Sequence, residues 1–498
     1  MSQEDRRMRI SLHLSENQNE VQKQIENCAD ILFRPLLIGE KEKTEAFLIY
    51  IEVAVSNLML EDSVIGKLLN RLLSMDTKEI YGTLENNSLG ISDTKELFTL
   101  EEAMAAMFAG NAVLFVDGYD RAIKIGSKGY PGSGVQKTDS EKGLRGSKEA
   151  FSESVKMNTA LIRKRIRNAK MKAEEKQVGR YSATTTALLY LDGVVYQPIC
   201  EEMRKRLNAF EVDGIEDSGM IEYLTRKKKE GRFPVYQTTE RPDRAAQAIL
   251  EGRVVLLTDN SPEALIFPAT LNSLFQTADD YYRNERIVTF LLIRYVAAFL
   301  ALALPGLYVA AATFHPQLLP GNLIRSMAEA RSGVPFPTAA EVLLMELSFE
   351  LLREAGLRMP GPAGNTIGIV GGLIVGQAAV SANLVSPITV TVAALTALGS
   401  FSIPNEELSE VFRLWKYGIL LLGSCFGILG VMLGCFLLLM LMAEQESYGI
   451  PWLYPYVGGN LNERADEKDS MFLAAARKRK RRPIFAKWGN RIRFRRKS

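Results

Sequence analysis

Four glutamates in the apolar segment EVLLMELSFELLREAG are the residues best placed to do chemistry: Glu341, Glu346, Glu350 and Glu354. Ionisable side chains next to lipid are costly, so in a membrane they mark a function. On a helix the last three share one face, because each step of four residues drifts by only ~40°. Glu341 lies on a different side. Repeated by symmetry, such carboxylates would form a ring that attracts cations.

The same segment has a second interpretation, a helix that neutralises its own charge at the membrane surface. Arg353 follows Glu350 by three residues, and Arg358 follows Glu354 by four, which are spacings at which helical side chains meet. The interpretations differ in their expected phenotypes. We expect Glu346→Gln to abolish ion passage at a normal protein level. We expect Glu354→Gln to lower the amount of protein.

Three long stretches without Asp, Glu, Lys or Arg surround this segment: 295–324, 359–405 and 417–443. Because a helix crosses the hydrocarbon core with ~20 apolar residues, the first and third can cross once and the second twice. The turn of the second falls at Ser386-Pro387. We therefore predict four spans, over residues 288–312, 364–384, 387–403 and 415–443.

The two ends of the chain indicate its orientation. The start, MSQEDRRMRISLHLSENQ, has no apolar h-region of a signal peptide. From Arg477 onward there are twelve Lys or Arg and no acid, which is a positive-inside signal with affinity for anionic lipid. Both ends are therefore expected in the cytoplasm, which requires an even number of spans. A fifth span at 338–358 would break this rule, so the acidic helix is predicted to be re-entrant or interfacial.

The first half of the chain contains a duplication. MAAMFAGNAVLFVDGYDRAIKI and AQAILEGRVVLLTDNSPEALIF align at a constant offset of 142, which pairs Gly110 with Gly252 and Asp117 with Asp259. Each passage predicts a helix ending at Gly, a buried strand, a tight turn and a second strand. The predicted fold class is α/β plus membrane α, with two related cytoplasmic α/β subdomains followed by a helical transmembrane domain.

The predicted domain boundaries follow from these patterns. They are an N-terminal tail (1–24), α/β subdomain 1 (25–140), a connecting helix (141–180), α/β subdomain 2 (181–285), the transmembrane domain (286–445) and a basic cytoplasmic tail (446–498). The connecting segment has apolar residues at helical spacing and a basic face. It is either a solvated linker or, through Arg163 and Arg165, part of an interface between subunits.

The predicted spans also carry small and polar residues. Gly368, Gly371, Gly372 and Gly376 let helix backbones approach closely, so we expect them to pack helices together. Gln377 and Asn383 need partners inside a membrane, and they either bond across helices or line a narrow pathway.

No pattern predicts catalysis, a metal or a cofactor. The chain has two histidines, and its four cysteines lack CxxC spacing. The glycine-rich passage over 129–134 lacks the GK[ST] ending of a phosphate loop. We expect neither an enzyme nor a nucleic-acid partner.

Several passages resemble the A subunit of GerA-type spore germinant receptors. They include RGSKEAFSESVKMNTALIRKRIR, LYVAAATFHPQLLP, GVPFPTAAEVLLMELSFELLREAGLRMP and IVGGLIVGQAAVSANLVSP. The resemblance extends from about Phe151 to Val457. Two soluble loops depart from it, at Ser147 and at Asp259-Asn260-Ser261-Pro262, where the family usually has Pro and a DGTP-like turn.

The resemblance implies a function and a set of partners. In this family the A subunit works in the spore inner membrane with a B subunit, which is a transporter-like nutrient sensor, and a C subunit, which is a lipoprotein. It is thought to form a homo-oligomeric ring that conducts ions. The alternative is a non-conducting scaffold that couples the nutrient-sensing subunit to a separate channel.

Overall fold

The computed structural model describes residues 9–39, 43–53, 72, 74–85, 94–126, 129–130, 141, 146–227, 230–231, 233–281, 287–358, 362–457 and 482–487. The chain forms two compact units. The α/β unit comprises Met1–Arg226, Tyr236–Pro268 and Lys480–Ser498. The helical unit comprises Lys227–Val235 and Ala269–Arg479.

The α/β unit consists of two repeats. The first contains α1 (Leu14–Ile25), β1 (Ile31–Ile38), β2 (Thr44–Ile51), α2 (Thr77–Glu85), β3 (Thr94–Leu97), α3 (Leu100–Phe108), β4 (Ala112–Val116) and β5 (Ala122–Ile125). The second contains α4 (Val155–Arg163), β6 (Met171–Val178), β7 (Thr184–Leu191), α5 (Gln197–Leu207), α6 (Ser218–Thr225), β8 (Gln237–Thr239), α7 (Pro242–Glu251), β9 (Val254–Thr258) and β10 (Ala264–Phe267).

Both repeats form a five-stranded antiparallel sheet with the same strand order, as the duplication predicts. The orders are β1-β2-β4-β5-β3 and β6-β7-β9-β10-β8. The aspartates that the alignment pairs have the same task in each repeat. Asp117 Oδ1 accepts from the backbone N–H of Leu14 at 3.0 Å, and Asp259 Oδ1 accepts from that of Val155 at 2.9 Å. Each carboxylate thus satisfies a free N–H at the start of α1 or α4.

The repeats begin earlier than the predicted boundaries. Helix α1 lies almost wholly in the predicted tail, and β6 lies in the predicted connecting helix. The connecting segment is helical only to Arg163, after which Met171–Val178 pairs with β7 along its whole length. The sequence MKAEEKQV hides this strand because β6 is at the edge of its sheet and buries only Met171, Ala173 and Val178. Pairing with β7 decides its conformation.

The structure corrects the expectation that Arg163 faces a neighbouring subunit. Its side chain is fully buried, and its Nε and Nη2 donate to Asp30 Oδ2 and Oδ1 at 2.8 and 2.7 Å. Arg163 therefore joins the second repeat to the first within one chain. Arg165 is also engaged within the chain, where it binds Glu149 Oε2 at 2.5 Å.

Within the predicted basic tail, residues 482–487 fold onto the second repeat. Ala486 forms an antiparallel bridge with Val195, and Arg482 Nε donates to Leu250 O at 2.8 Å. In the first repeat, Tyr130 Oη donates to Phe108 O at 2.9 Å, which is the equivalent carbonyl at the offset of 142. Burial raises the pKa of Tyr130 to about 12, so this donor stays protonated. The predicted lipid-binding residues at 446–498 otherwise lie largely outside the described residues.

Position 252 must be glycine because a side chain would collide with the C-terminal segment. Its φ of +93° is in the left-handed region, and an added Cβ would lie 2.8 Å from Ala486 Cα. Glycine thus ends helix α7 and admits the C-terminal segment.

We predict that breaking the Arg163–Asp30 pair destabilises the α/β unit. Arg163→Met leaves a buried carboxylate without its cation, and we expect it to lower the free energy of unfolding by ~3–5 kcal/mol. Hydrogen–deuterium exchange at β1 and β6 of the full chain measures the loss. The control is Lys156→Met, which breaks a 2.8 Å pair with Glu52 that is partly exposed and should cost under ~1 kcal/mol. Equal effects of the two variants would contradict the prediction.

The helical unit contains eight α-helices among its described residues. They are α8 (Leu271–Phe275), α9 (Ile287–Thr313), α10 (Gly321–Arg331), α11 (Thr338–Arg358), α12 (Pro362–Ser381), α13 (Pro387–Phe401), α14 (Glu406–Phe426) and α15 (Ile428–Glu444). A hairpin of β11 (Glu446–Ser447) and β12 (Ile450–Pro451) follows. By length and composition, one helix of the described chain can cross a membrane, over Phe290–Thr313.

The predicted fourth span, 415–443, is not one helix. Gly427, at φ +62°, separates α14 from α15. An added Cβ at Gly430 would lie 2.0 Å from Leu422 O, and one at Gly434 would lie 2.9 Å from Ile419 Cγ1. From Gly430 to Gly434 the contact on α14 moves back from Leu422 to Ile419. Helices α14 and α15 therefore form an antiparallel hairpin. Glycine permits both the turn and the close backbone approach.

The helices α9 and α11 to α15 pack side by side in alternating directions. Helix α14 runs parallel to α9, because Gly306 adjoins Ile419 and Phe314 adjoins Gly427. Helix α13 runs opposite to α9, because Gly399 adjoins Ala301 whereas Thr389 lies 3.3 Å from Tyr308 Oη. The acidic helix α11 is a member of this bundle. Its predicted re-entrant or interfacial position in a membrane stays a prediction.

The small residues of α12 lie against α11 and α13. Added Cβ atoms would lie 2.8 Å from Leu352 at Gly371, 3.3 Å from Phe349 at Gly372 and 3.2 Å from Val390 at Gly376. Gly368 also belongs to α12, but its surroundings lie outside the described residues. The contacts show α12 running antiparallel to α11.

Candidate functional site

Helices α11 and α14 bring four charged side chains together, which we call the charged seam: Glu346, Glu350, Arg413 and Lys416. Lys416 Nζ lies 2.6 Å from Glu346 Oε2, and their side chains are 6% and 2% exposed. Arg413 Nη1 contacts Glu350 Oε1. Because the helices are antiparallel, a step of four residues along α11 matches a step of three back along α14.

The seam gives Glu346 and Glu350 partners on α14, and the predicted pair of Glu354 with Arg358 stays a prediction. Neither Arg413 nor Lys416 was expected to neutralise the glutamates. Arg353 instead lies over the ring of Phe401, with its guanidinium carbon 5.5 Å from the ring centroid. The side chain of Arg358 lies outside the described residues. One signal was available in the sequence, since Arg413 and Lys416 stand three residues apart where an uncharged stretch begins.

Glu341 belongs to a separate network. It is fully buried and accepts from Arg331 Nε at 3.1 Å, from the backbone N–H of Ser386 at 2.9 Å and from Thr389 Oγ1 at 3.0 Å. These contacts tie α10, α11 and the start of α13 together. Asn383, at φ +54°, lies in the turn between α12 and α13. Glu341 thus holds helices together, and Asn383 forms part of a turn.

A cavity of about 1140 Å³ lies beside the seam, among α11, α12, α13 and α14. Its lining contains three carboxylates and three cations, so its formal charge is balanced: Glu346, Glu350, Glu406, Arg353, Arg413 and Lys416. Gln377, for which we predicted either a bond across helices or a place along a pathway, also lines this cavity. Glu354 is exposed on α11 and is not among the lining residues.

Comparison with known proteins identifies the family. The model of the Bacillus/Clostridium GerA spore germination protein family matches residues 19–485. The chain belongs to the GerA family. It is 37% identical to the uncharacterized membrane protein YfkQ of Bacillus subtilis (strain 168), over 94% of this chain and 90% of YfkQ. It is 34% identical to spore germination protein KA of the same organism, over 91% of this chain and 83% of that protein.

Two further similarities concern named germination proteins. Spore germination protein A1 of Bacillus subtilis (strain 168) is 36% identical, over 73% of this chain and 76% of that protein. A crystal structure of the N-terminal domain of the A subunit of the Bacillus megaterium spore germinant receptor GerK3 is 26% identical. That alignment has a TM-score of 0.40 and covers 53% of this chain and 97% of the domain.

In this GerA-family chain the two seam contacts differ in strength. The Glu346–Lys416 pair is removed from water, so loss of either partner leaves an uncompensated buried charge. Glu350 is 35% exposed, and water weakens such a pair to ~1 kcal/mol or less. Arg413 also has Glu410 at 3.4 Å. The seam thus combines one strong contact with one that opens at little cost.

The α/β unit contains a buried cysteine, Cys200, on helix α5. Burial raises the pKa of its thiol to about 12, so the thiol is protonated at neutral pH. A reactive cysteine needs a lowered pKa, because the thiolate is the nucleophile. Among the residues that the structure describes, no group of three or more His, Cys, Asp or Glu is arranged to hold a metal ion.

We predict that Glu346→Gln lowers the amount of folded protein, in place of the normal level expected from sequence. The substitution leaves the Lys416 ammonium buried without its counter-charge, at a cost of ~3–5 kcal/mol. Glu346→Gln combined with Lys416→Gln removes both charges and should recover most of the loss. The measurement is the thermal unfolding midpoint of the purified full chain. Glu329→Gln, which alters an exposed glutamate on α10, is the control, and an equal drop in that variant would refute the prediction.

Proposed function

We propose that this chain is the A subunit of a nutrient germinant receptor in the spore inner membrane, where it forms or gates an ion-conducting pathway. Membership of the GerA family and the names of its relatives support the role in germination. The charged seam carries the proposal for gating. The proposed partners are a B subunit, a C subunit and further copies of this chain.

The membrane arrangement that we propose has six traverses, by α9 and α11 to α15, in place of four. Among the described residues, α9 alone has the length and apolar composition to cross a membrane, but the other five helices pack with it in alternating directions. The α/β unit contains segments that precede the helical unit in the sequence and one segment, Lys480–Ser498, that follows it. The number of traverses is therefore even, and the positive-inside rule puts both ends in the cytoplasm.

The seam supports gating more directly than it supports a permanent ring of carboxylates. A ring attracts cations through charges that are available to the pathway. In this conformation Glu346 and Glu350 face cations of the same chain. Separation of α11 from α14 at the Glu350 end of the seam would free that carboxylate beside a large cavity, while the Glu346–Lys416 pair stays closed. We propose that the described conformation is closed and that the nutrient signal shifts the population toward the separated one.

The alternative function, a non-conducting scaffold, is favoured by the same pairing. A neutral, self-paired seam holds helices together without providing a path for ions. The two functions differ in what a weakened seam does. A gate leaks when its contacts weaken, whereas a scaffold passes no more ions than before.

We predict that Glu350→Gln makes spores release ions before any nutrient is added. The variant removes the half-exposed contact while Arg413 keeps Glu410 at 3.4 Å, so the fold should persist. A contact worth up to ~1 kcal/mol shifts a two-state equilibrium up to about fivefold. The measurement is the rate of cation release from dormant spores that carry equal amounts of receptor.

The matched control is Glu329→Gln, which alters an exposed glutamate on α10. It should leave release at the wild-type rate. Unchanged release in Glu350→Gln at normal receptor abundance would favour the scaffold and contradict the gate.

A further inference from the structure

One cation in the cavity lacks the counter-charge that its neighbours have. Arg353 makes no ion pair within 4 Å among the described residues, and its half-buried side chain has an Nη1 that is inaccessible and without a hydrogen-bond partner. The Nε of Arg413, in the same cavity lining, is likewise buried and unbonded. By contrast, Arg294, Arg331 and Lys416 each bind a carboxylate of the helical unit.

Buried guanidinium donors without acceptors are unfavourable, and an unpaired cation among apolar helices is more so. Glu406 lines the cavity but does not come within ion-pair distance of Arg353. Two neighbouring arginines with free N–H groups form a site for an oxyanion, since guanidinium planes match phosphate geometry. The missing partner of Arg353 is therefore a hydrogen-bond acceptor, and an oxyanion is the acceptor that matches a guanidinium best.

The surroundings of Arg353 specify an amphiphile. Its guanidinium stacks over Phe401, and the cavity walls include Phe349, Leu352 and Leu398. At the rim, Leu398 and Phe401 are 62% and 64% exposed. An apolar chain can extend along these two side chains while its head group remains at the arginines.

The position along the bundle fits a lipid head group. Arg353 lies near the end of α11, Phe401 ends α13, and Arg413 lies in the first half of α14. The alternating helix directions bring these points to one end of the helical unit. By the connectivity above, this is the cytoplasmic end, where the membrane surface is anionic.

We infer that this cavity binds an anionic phospholipid, with the phosphate at Arg353 and Arg413 and an acyl chain along Leu398 and Phe401. The inference rests on the membrane placement proposed above and is independent of ion conduction. A chain that binds the lipid but passes no current would disprove the gate and leave the lipid site intact.

The test uses the purified full chain in detergent. Dioleoyl phosphatidylglycerol or dioleoyl phosphatidylcholine is added in mixed micelles, and native mass spectrometry counts the lipids retained per chain. We expect retention of phosphatidylglycerol and about tenfold less in Arg353→Gln, the factor that one lost charged contact produces. Arg325→Gln, which alters an exposed arginine on α10, should retain as much as the wild type.

A second variant guards against misfolding. Arg353→Lys keeps the charge but loses the planar stacked group, so its retention should fall between those of the wild type and Arg353→Gln. Thermal midpoints in phosphatidylcholine check that each variant is folded. Equal retention of the two lipids by the wild type, unchanged retention in Arg353→Gln, or an equal stabilisation by inorganic phosphate would each overturn the inference.

Discussion

The charged seam between α11 and α14 is the interaction on which the proposed gate depends. The buried Glu346–Lys416 pair at 2.6 Å fixes the register of the two helices. Removing two charges from water is favourable only when they satisfy each other, so α11 cannot leave α14 without a large cost at this point. The weaker contact at Glu350 lies one turn further along α11. The two helices are therefore held strongly at Glu346 and weakly at Glu350, beside the cavity.

Connectivity adds a second constraint. Arg482 and Ala486 bind the second α/β repeat after the chain has passed through the whole helical unit. The chain thus leaves the α/β unit and returns to it. Within that unit, the buried Arg163–Asp30 pair joins the repeats. Both units therefore use a buried ion pair to link segments that are distant in sequence. Such a pair adds little net stability, but it favours one arrangement of the chain because a mispaired charge would be costly.

The sequence predicts what is local and misses what is long-range. The passages at an offset of 142 predict a helix, a strand, a turn and a second strand in each repeat, because these patterns are local. They do not predict the hydrogen bonds of Asp117 and Asp259 to helix starts that are 103 and 104 residues away. The partners of Glu346 and Glu350 are 70 and 63 residues away in sequence, and helical spacing shows only which face a side chain occupies. The prediction for Arg163 was wrong for the same reason, because its partner Asp30 is 133 residues away in sequence. The split of 415–443 at Gly427 is hidden because apolar composition does not distinguish one helix from a hairpin.

Current through planar lipid bilayers that contain the purified full chain tests the gate most directly. Glu350→Arg places two like charges across the seam, and adding Arg413→Glu restores an opposite pair in reversed order. If the seam is the gate, the single variant carries a larger cation current than the wild type at equal protein amounts, and the double variant returns it toward the wild-type level. No current in any of the three proteins, or equal currents in the single and double variants, would contradict the gate.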